Sequence, residues 1–278
     1  MVKPIHIVKI GGKVAEHDEQ LSKLLDWVAR QTTRSIILVH GGGVKASEMA
    51  QRLGVETTMV EGRRVTNEAM LEIATMVYGG LINKKIVAHL EARSTKALGL
   101  TGADLGLIRS VKRPPEPIDF GLVGDIVSVN TDELRSLLAR NIIPVIAPLT
   151  SNGQGQLLNT NADSIAAHVA SSLAGIGNEA GEEYSGTDGA GKVDSEVDYE
   201  VHLDLCFDLE GVMVEGEVVK QLNSTRYKTI QEQGHITGGM IPKLDLGFMA
   251  LEAGVKHVRI LSPEGVPSHS SGTLLSKH

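Results

Sequence analysis

Ile5-His6-Ile7-Val8-Lys9-Ile10-Gly11-Gly12 is a short apolar run that carries one lysine near its end and stops on two glycines. Valine and isoleucine at this density predict a buried strand of a parallel sheet. Comparable runs recur at Ile36 to Val39, Lys96 to Leu100, Ile142 to Ala147, His202 to Phe207 and His257 to Leu261. Between several of them the apolar residues switch to helical spacing. Leu21-Leu24-Leu25-Val28, Met70-Ile73-Ala74-Val77 and Ile165-Val169-Leu173 each put their side chains on one face. Strand and helix alternating in this way predict an α/β fold, a three-layer αβα sandwich with a mainly parallel central sheet.

The rest of the composition agrees with that reading. The 278 residues are 41% hydrophobic and 22% charged, a globular balance, at a length where one core begins to divide into lobes. Thirty-one glycines against three Phe and one Trp indicate many tight turns and aliphatic packing. The net charge of -7 argues against nucleic-acid binding, which needs a basic face, yet leaves room for a local cationic site for a small anion. No apolar run reaches the roughly 20 residues of a membrane helix. Met1-Val2-Lys3-Pro4 leads straight into strand-like sequence, so no signal peptide and a cytoplasmic location are expected. The single cysteine, Cys206, allows no internal disulfide framework.

Two stretches break the alternation. Gly175 to Tyr199 is rich in Gly, Glu, Asp and Ser and is expected to be a flexible acidic loop. It divides one domain, 1–278, into an N-terminal lobe of about 1–174 and a C-terminal lobe of about 200–278. Ile108 to Val129, with Lys112-Arg113-Pro114-Pro115 inside it, is expected to form hairpins on the edge of the sheet, where proline is tolerated.

Three glycine clusters are expected at strand-to-helix turns: Gly11-Gly12, Gly41-Gly42-Gly43 and Gly238-Gly239. Glycine lets backbone N–H groups approach an anion closely, and the helix that follows adds its positive end. Each cluster alone could be no more than a tight turn, but three in one α/β domain point to one ligand-binding edge. None is a P-loop. Gly41-x-Gly43-x-x-Ala46 fits a loose dinucleotide fingerprint, although Glu61 is a poor candidate for its acidic residue.

Lys9 either has a buried partner or sits exposed at the strand end. Lys243 follows Gly238-Gly239-Met240-Ile241-Pro242, at a helix start where a cation is unfavourable unless an anion lies between. The two lysines suggest clamps on a transferring phosphoryl group. Asp163 resembles the third position of a capping box begun by Thr160, and could also orient the lysines. Arg64, ahead of a helix capped by Thr66 or Asn67, suits bidentate binding of a carboxylate or is simply solvated. The histidines show no H-E-x-x-H pattern and there is no Gly-x-Ser-x-Gly, so zinc-enzyme and serine-hydrolase readings have no support.

Taken in order, the motifs resemble the amino-acid kinase family, and within it the acylglutamate kinases. Val8-Lys9-Ile10-Gly11-Gly12 is similar to the family's first strand and phosphate loop, and Val39-His40-Gly41-Gly42-Gly43 to its second glycine turn. Gly62-Arg63-Arg64-Val65-Thr66 resembles the carboxylate-binding segment. Leu158-Asn159-Thr160-Asn161-Ala162-Asp163 resembles the acylglutamate-specific one, and Thr237-Gly238-Gly239-Met240-Ile241-Pro242-Lys243 the nucleotide-side motif. The resemblance spans nearly the whole chain.

It implies ATP-dependent phosphorylation of the γ-carboxylate of an N-acylglutamate, N-acetyl-L-glutamate in arginine biosynthesis. Lys9 and Lys243 would stabilise the phosphoryl group in flight and Asp163 would hold both. Gly42, Gly43, Arg64 and Asn159 would bind the acylglutamate, with Gly11, Gly12, Gly238 and Gly239 on the phosphate side. No protein metal site is implied, since Mg2+ would be bound mainly through the ATP phosphates. An N-succinylglutamate kinase, a carrier-linked aminoadipate or glutamate kinase, and a non-catalytic ATP or arginine sensor are the competing readings.

The chain departs from the family in three places. The acidic stretch interrupts it, and Cys206-Phe207-Asp208-Leu209-Glu210-Gly211 stands where a Thr- or Ser-Asp-Val-x-Gly segment is common. It also starts at the first strand, without the N-terminal helix of hexameric, arginine-inhibited relatives. A homodimer with weak or absent arginine feedback is therefore expected.

Overall fold

The computed structural model describes residues 4–60, 63–175, 200–236, 238–268 and 270–277. Residues 176–199 of the expected acidic loop, together with Glu61, Gly62 and Thr237, lie outside the described residues.

From the N-terminus, β1 (Ile5–Ile10) leads through α1 (Gly12–Glu16) and α2 (Asp18–Ala29) to β2 (Ser35–His40) and α3 (Gly43–Arg52). The short pair β3 (Met59–Val60) and β4 (Arg63–Arg64) precedes α4 (Glu68–Ala74), a π-helical segment Thr75–Ile82, and α5 (Asn83–Glu91). Next come β5 (Ala97–Leu100), β6 (Ile108–Lys112), β7 (Gly124–Val129), α6 (Thr131–Ala139) and β8 (Ile143–Ile146). The pair β9 (Leu149–Ser151) and β10 (Leu157–Asn159) precedes α7 (Ala162–Leu173). After it, β11 (Val201–Cys206), the pair β12 (Met213–Val214) and β13 (Glu217–Val218), and β14 (Gln221–Asn223) lead to α8 (Ser224–Glu232). The chain closes with α9 (Met240–Glu252), β15 (His257–Leu261) and β16 (Thr273–Ser276).

The central sheet has eight strands in the order β14-β16-β15-β11-β1-β2-β8-β5. From β15 to β5 every pairing is parallel, and only β16 and β14 run the other way. The expected α/β sandwich with a mainly parallel sheet is therefore present. Every residue of β1 and β2 is buried, as a strand covered by helices on both faces requires.

Successive side chains of a strand point to opposite faces, and the two apolar cores follow that rule. Ile5 and Ile7 join Ile37, Val39, Leu203 and Leu205 in the core under α7 and α9. Val8 and Ile10 join Ile36, Leu38 and Cys206 in the core under α2, α3 and α5. Lys9, one residue after Val8, is thereby directed toward α7, whereas His6 faces Trp27 of α2.

The region Ile108 to Val129 differs from expectation. It does not extend the main sheet, whose edge is β5, but builds a separate four-stranded sheet, β10-β9-β6-β7. Gly102 makes this possible, because its N–H donates to the Leu149 carbonyl and a Cβ there would lie 2.9 Å from the Ile108 carbonyl and from Thr150 Cα. The chain thus turns tightly off the main sheet before β6 begins. Among the described residues, no helix is long and apolar enough to cross a membrane.

Candidate active site

β1 and β2 end side by side, so the turns after them meet. A Cβ on Gly12 would stand 3.2 Å from the Gly42 nitrogen, and one on Gly41 would stand 3.0 Å from the Gly12 nitrogen. The two backbones approach closely because neither carries a side chain there. Gly42 is closed in from the other direction by the π-helical segment: a Cβ would meet Ile82 Cδ1 at 2.4 Å and Tyr78 Cδ1 at 2.9 Å. π-Turns of this kind are frequent at functional sites.

Lys9 is 7% exposed and its Nζ lies 2.8 Å from Asp163 Oδ1. Lys243 Nζ approaches the other oxygen, Oδ2, at 3.7 Å and donates to the Gly239 carbonyl at 3.1 Å. Burial pushes the Asp163 carboxyl up, but the charges of Lys9 and Lys243 outweigh it and hold the group below the ordinary carboxylate value. One buried carboxylate thus fixes two ammonium groups, one at the end of β1 and one on the first turns of α9.

The helix behind Asp163 is capped differently from expectation. Asn161, not Thr160, is the N-cap of α7, and its side-chain oxygen accepts from the Asp163 and Ser164 N–H groups. The Thr160 hydroxyl is buried and is engaged with Thr150 Oγ1 at 2.8 Å, so it is not turned to the helix. The cap on α4 is Asn67, which accepts from the Met70 N–H.

Arg64 stands on the opposite wall. Its Nη2 donates to the Gly43 carbonyl at 2.8 Å and to Ser47 Oγ at 2.7 Å, and Nη1 reaches Met70 Sδ at 3.9 Å. Asn159 Nδ2 donates to Thr66 Oγ1 at 2.9 Å. Lys9, Gly12, Gly42, Gly43, Arg64, Asn159 and Asp163 all line one cleft of about 470 Å³, and Lys243 reaches it through Asp163. Gly11, Gly238 and Gly239 are not in that wall.

Gly238-Gly239 also differs from the expected strand-to-helix turn. It joins α8 to α9, with Gly238 at φ +57, a conformation few side chains adopt. Its contribution is to start α9 where Lys243 can reach Asp163.

The sequence reading assigned no role to the groups that brace these residues. His40, at the end of β2, is fully buried, and burial pushes its pKa down to about 4. It is therefore neutral, with Nδ1 donating to the Gly41 carbonyl at 2.9 Å and Nε2 accepting from Asn83 Nδ2 at 3.2 Å. Asn83 also donates to the Val145 carbonyl at 2.8 Å. Ser47 and Asn83 come from separate segments that nothing local in the sequence marks, whereas His40 and Thr66 lie within motifs quoted above.

Two cations held by one buried carboxylate, beside backbone N–H groups of two abutting glycine turns, form a site suited to a group in which negative charge is transferred. Comparison with known proteins agrees. The description of the Amino acid kinase family matches residues 4–175. An acetylglutamate kinase of Phocaeicola vulgatus is 41% identical, with 100% of both chains covered. One of Parabacteroides distasonis is 44% identical, over 91% of this chain and 92% of its own. A solved structure from Streptococcus mutans superposes with a TM-score of 0.77 at 24% identity, covering 99% of this chain and 100% of that one, a likeness of fold. With motif order, cleft chemistry and full-length relatives in agreement, the chain belongs to the amino acid kinase family.

Proposed function

We propose that the chain is an acetylglutamate kinase, transferring the γ-phosphoryl group of ATP to the side-chain carboxylate of N-acetyl-L-glutamate. The products are N-acetylglutamyl 5-phosphate and ADP, in a step of arginine biosynthesis. The observation that carries this reading is the Lys9–Asp163–Lys243 arrangement, in a chain whose full-length relatives bear that name.

The nucleophile is a carboxylate that is already ionised at neutral pH, so no general base is needed. An oxygen of the γ-carboxylate bonds to the γ-phosphorus as the bond to the β-phosphate oxygen breaks, and ADP carries that electron pair away. The transition state spreads charge over the phosphoryl oxygens. Lys9 and Lys243, fixed by Asp163, lie where they can neutralise it without reorganising. The N–H groups of Gly12 and Gly42 contribute oriented dipoles. Gly43, Arg64 and Asn159 hold the acylglutamate, with Arg64 on its α-carboxylate. The contacts to Gly43, Ser47 and Met70 orient the guanidinium and leave donors of its fork for that carboxylate.

Among the described residues, the carboxylates in the cleft wall are Asp125, Asp163 and Asp245. They are engaged with Arg113, Lys9 and Tyr227 respectively. That donor set fits a Mg2+ whose oxygen ligands come mainly from the ATP phosphates, where it would neutralise their charge. The lobe after 200 would hold the nucleotide and the lobe before 174 the acylglutamate. Such metabolites put the reaction in the cytoplasm, and exposed apolar side chains at Met76, Leu81 and Leu98 supply surface for a homodimer.

ATP-dependent acyl-hydroxamate formation, with N-acetyl-L-glutamate, N-succinyl-L-glutamate, glutamate and aspartate compared side by side, tests the reaction. Turnover of N-acetyl-L-glutamate above the others, abolished in Lys9→Ala, supports the reading. Folded protein that binds ATP and turns over none of them overturns it. Light scattering on the eluting protein tests the dimer, and a monomer or hexamer would contradict it.

A further inference from the structure

The opposite end of the central sheet carries a second cluster of ionisable groups. β1, β11 and β15 are adjacent and parallel, and their register places His6 beside His202 and His202 beside His257. Residues in register on parallel strands share a face, so three imidazoles form a row across the sheet near the strand starts, away from the glycine turns. The His202 and His257 ring centroids are 4.8 Å apart, and those of His6 and His202 are 5.9 Å apart. Glu200, two residues before His202, projects to the same side and its Oε1 lies 2.9 Å from His202 Nε2. One ligand atom from each of Glu200, His202 and His257 lies within 4.8 Å of the others.

We propose that Glu200, His202 and His257 bind a first-row transition-metal dication of the zinc type, at a site separate from the catalytic cleft. The donor set decides the class of ion. Two imidazoles and one carboxylate suit zinc, copper or nickel, whereas Mg2+ and Ca2+ take oxygen ligands. Zinc binds imidazole nitrogen and carboxylate oxygen at roughly 2.0–2.2 Å in a tetrahedron, and small side-chain rotations bring these three donors to that spacing. The fourth position is left to water. On binding, His202 exchanges its contact with Glu200 for the metal, and its ring proton moves from Nε2 to Nδ1.

His202 and His257 are anchored by strand pairing, and the Glu200 carbonyl accepts from the Ile5 N–H at the start of β1. Beneath them on the same face, Asp204 accepts from Arg259 Nε and Nη2 and pairs with His6 at 2.8 Å, forming a buried polar base. Lys256, next to His257 in the chain, is a nearby cation that a metal must displace or tolerate. Because the ligands come from positions 200, 202 and 257, no local motif could show them. The proposal does not depend on the kinase reading.

Chelator-treated full-length protein, without nucleotide, is titrated calorimetrically with zinc chloride and compared with Glu200→Gln and His257→Ala. Both substituted side chains are exposed, so the variants fold. The expected result is saturable binding of one zinc per chain, weakened at least about tenfold in each variant, and a zinc-induced rise in Tm that both variants lose. Lys9→Ala should bind zinc as the parent does. Equal zinc affinity in the parent and both variants, a Tm rise that survives them, or the absence of saturable binding to the parent would each overturn the proposal.

Discussion

Lys9 Nζ and Asp163 Oδ1 lie 2.8 Å apart, joining the end of the central strand to the first turn of α7 although the two residues are far apart in sequence. Both side chains are almost fully buried. A charge taken from water needs a partner, and each supplies the other's. Removing either residue should therefore affect both stability and chemistry, in separable ways.

Lys9→Ala should lower kcat by about 10²–10³, the usual cost of removing one transition-state charge donor, while binding of ATP, held also by Lys243 and the glycine turns, persists. Single-turnover hydroxamate formation together with a nucleotide-binding titration separates the two effects. A variant that fails to bind ATP would show Lys9 to be needed for the ground state.

Asp163→Asn leaves two lysines without their counter-charge and should cost about 3–5 kcal/mol at neutral pH. The sign with pH follows from the lowered carboxyl. Its stabilisation is fully present above the unfolded value of 3.8 and is lost as pH falls through the lower folded value. Urea unfolding of parent and variant should thus show a constant gap from pH 7 to about 5, closing only in more acid solution. A gap that closed near neutrality would assign the effect to another group.

Gly42→Ala would set a methyl group 2.4 Å from Ile82 Cδ1 and 2.9 Å from Tyr78 Cδ1, an overpacking that typically costs about 1–3 kcal/mol. It should also shift the turn and impair turnover. Ile82→Val removes the nearer atom, so the double variant should regain part of both stability and activity. No recovery in thermal unfolding or kcat would mean that the ring of Tyr78 sets the constraint.

His40 is held at about 4, below its ordinary 6.5, by burial. It contributes stability that is fully present above the unfolded value and is lost as pH falls from 6.5 towards 4. The difference corresponds to ~3 kcal/mol. His40→Gln should flatten the stability curve in that window, which equilibrium unfolding at several pH values would reveal as a smaller slope between pH 6.5 and 4.

Arg64→Lys keeps the charge and loses the planar fork. KM for N-acetyl-L-glutamate should rise about ten- to hundredfold, with KM for ATP nearly unchanged. A matched rise in both would place Arg64 outside the acylglutamate pocket.

The strands that set the fold were legible because each is short, apolar and bounded by turn residues: Ile5–Ile10, Ser35–His40 and His257–Leu261 fall where the periodicity puts them. Lys9 and Lys243 stood out as cations that are costly at their positions, and Gly11-Gly12 and Gly41-Gly42-Gly43 as turns after strands; Gly238-Gly239 was misplaced, since it follows α8 and not a strand. The separate sheet of β6, β7, β9 and β10 was not, because a hairpin reads alike whether it extends a sheet or leaves it. The cap on α7 was misread because Thr160 and Asn161 are adjacent and both can cap; which one does depends on Thr150, a residue from another strand.

The sequence by itself determined the α/β layering, the order of the motifs and the presence of two lysines, one acidic residue and paired glycine turns. Periodicity and local steric cost act between neighbours along the chain, so they are written there. Only the tertiary structure decided that one carboxylate, Asp163, serves both lysines, that Tyr78 and Ile82 close over Gly42, that His40 is neutral, and that Glu200, His202 and His257 converge. Those facts depend on strand order and register, which bring together groups that no local pattern connects, and on burial, which sets their charge only once the layers have closed.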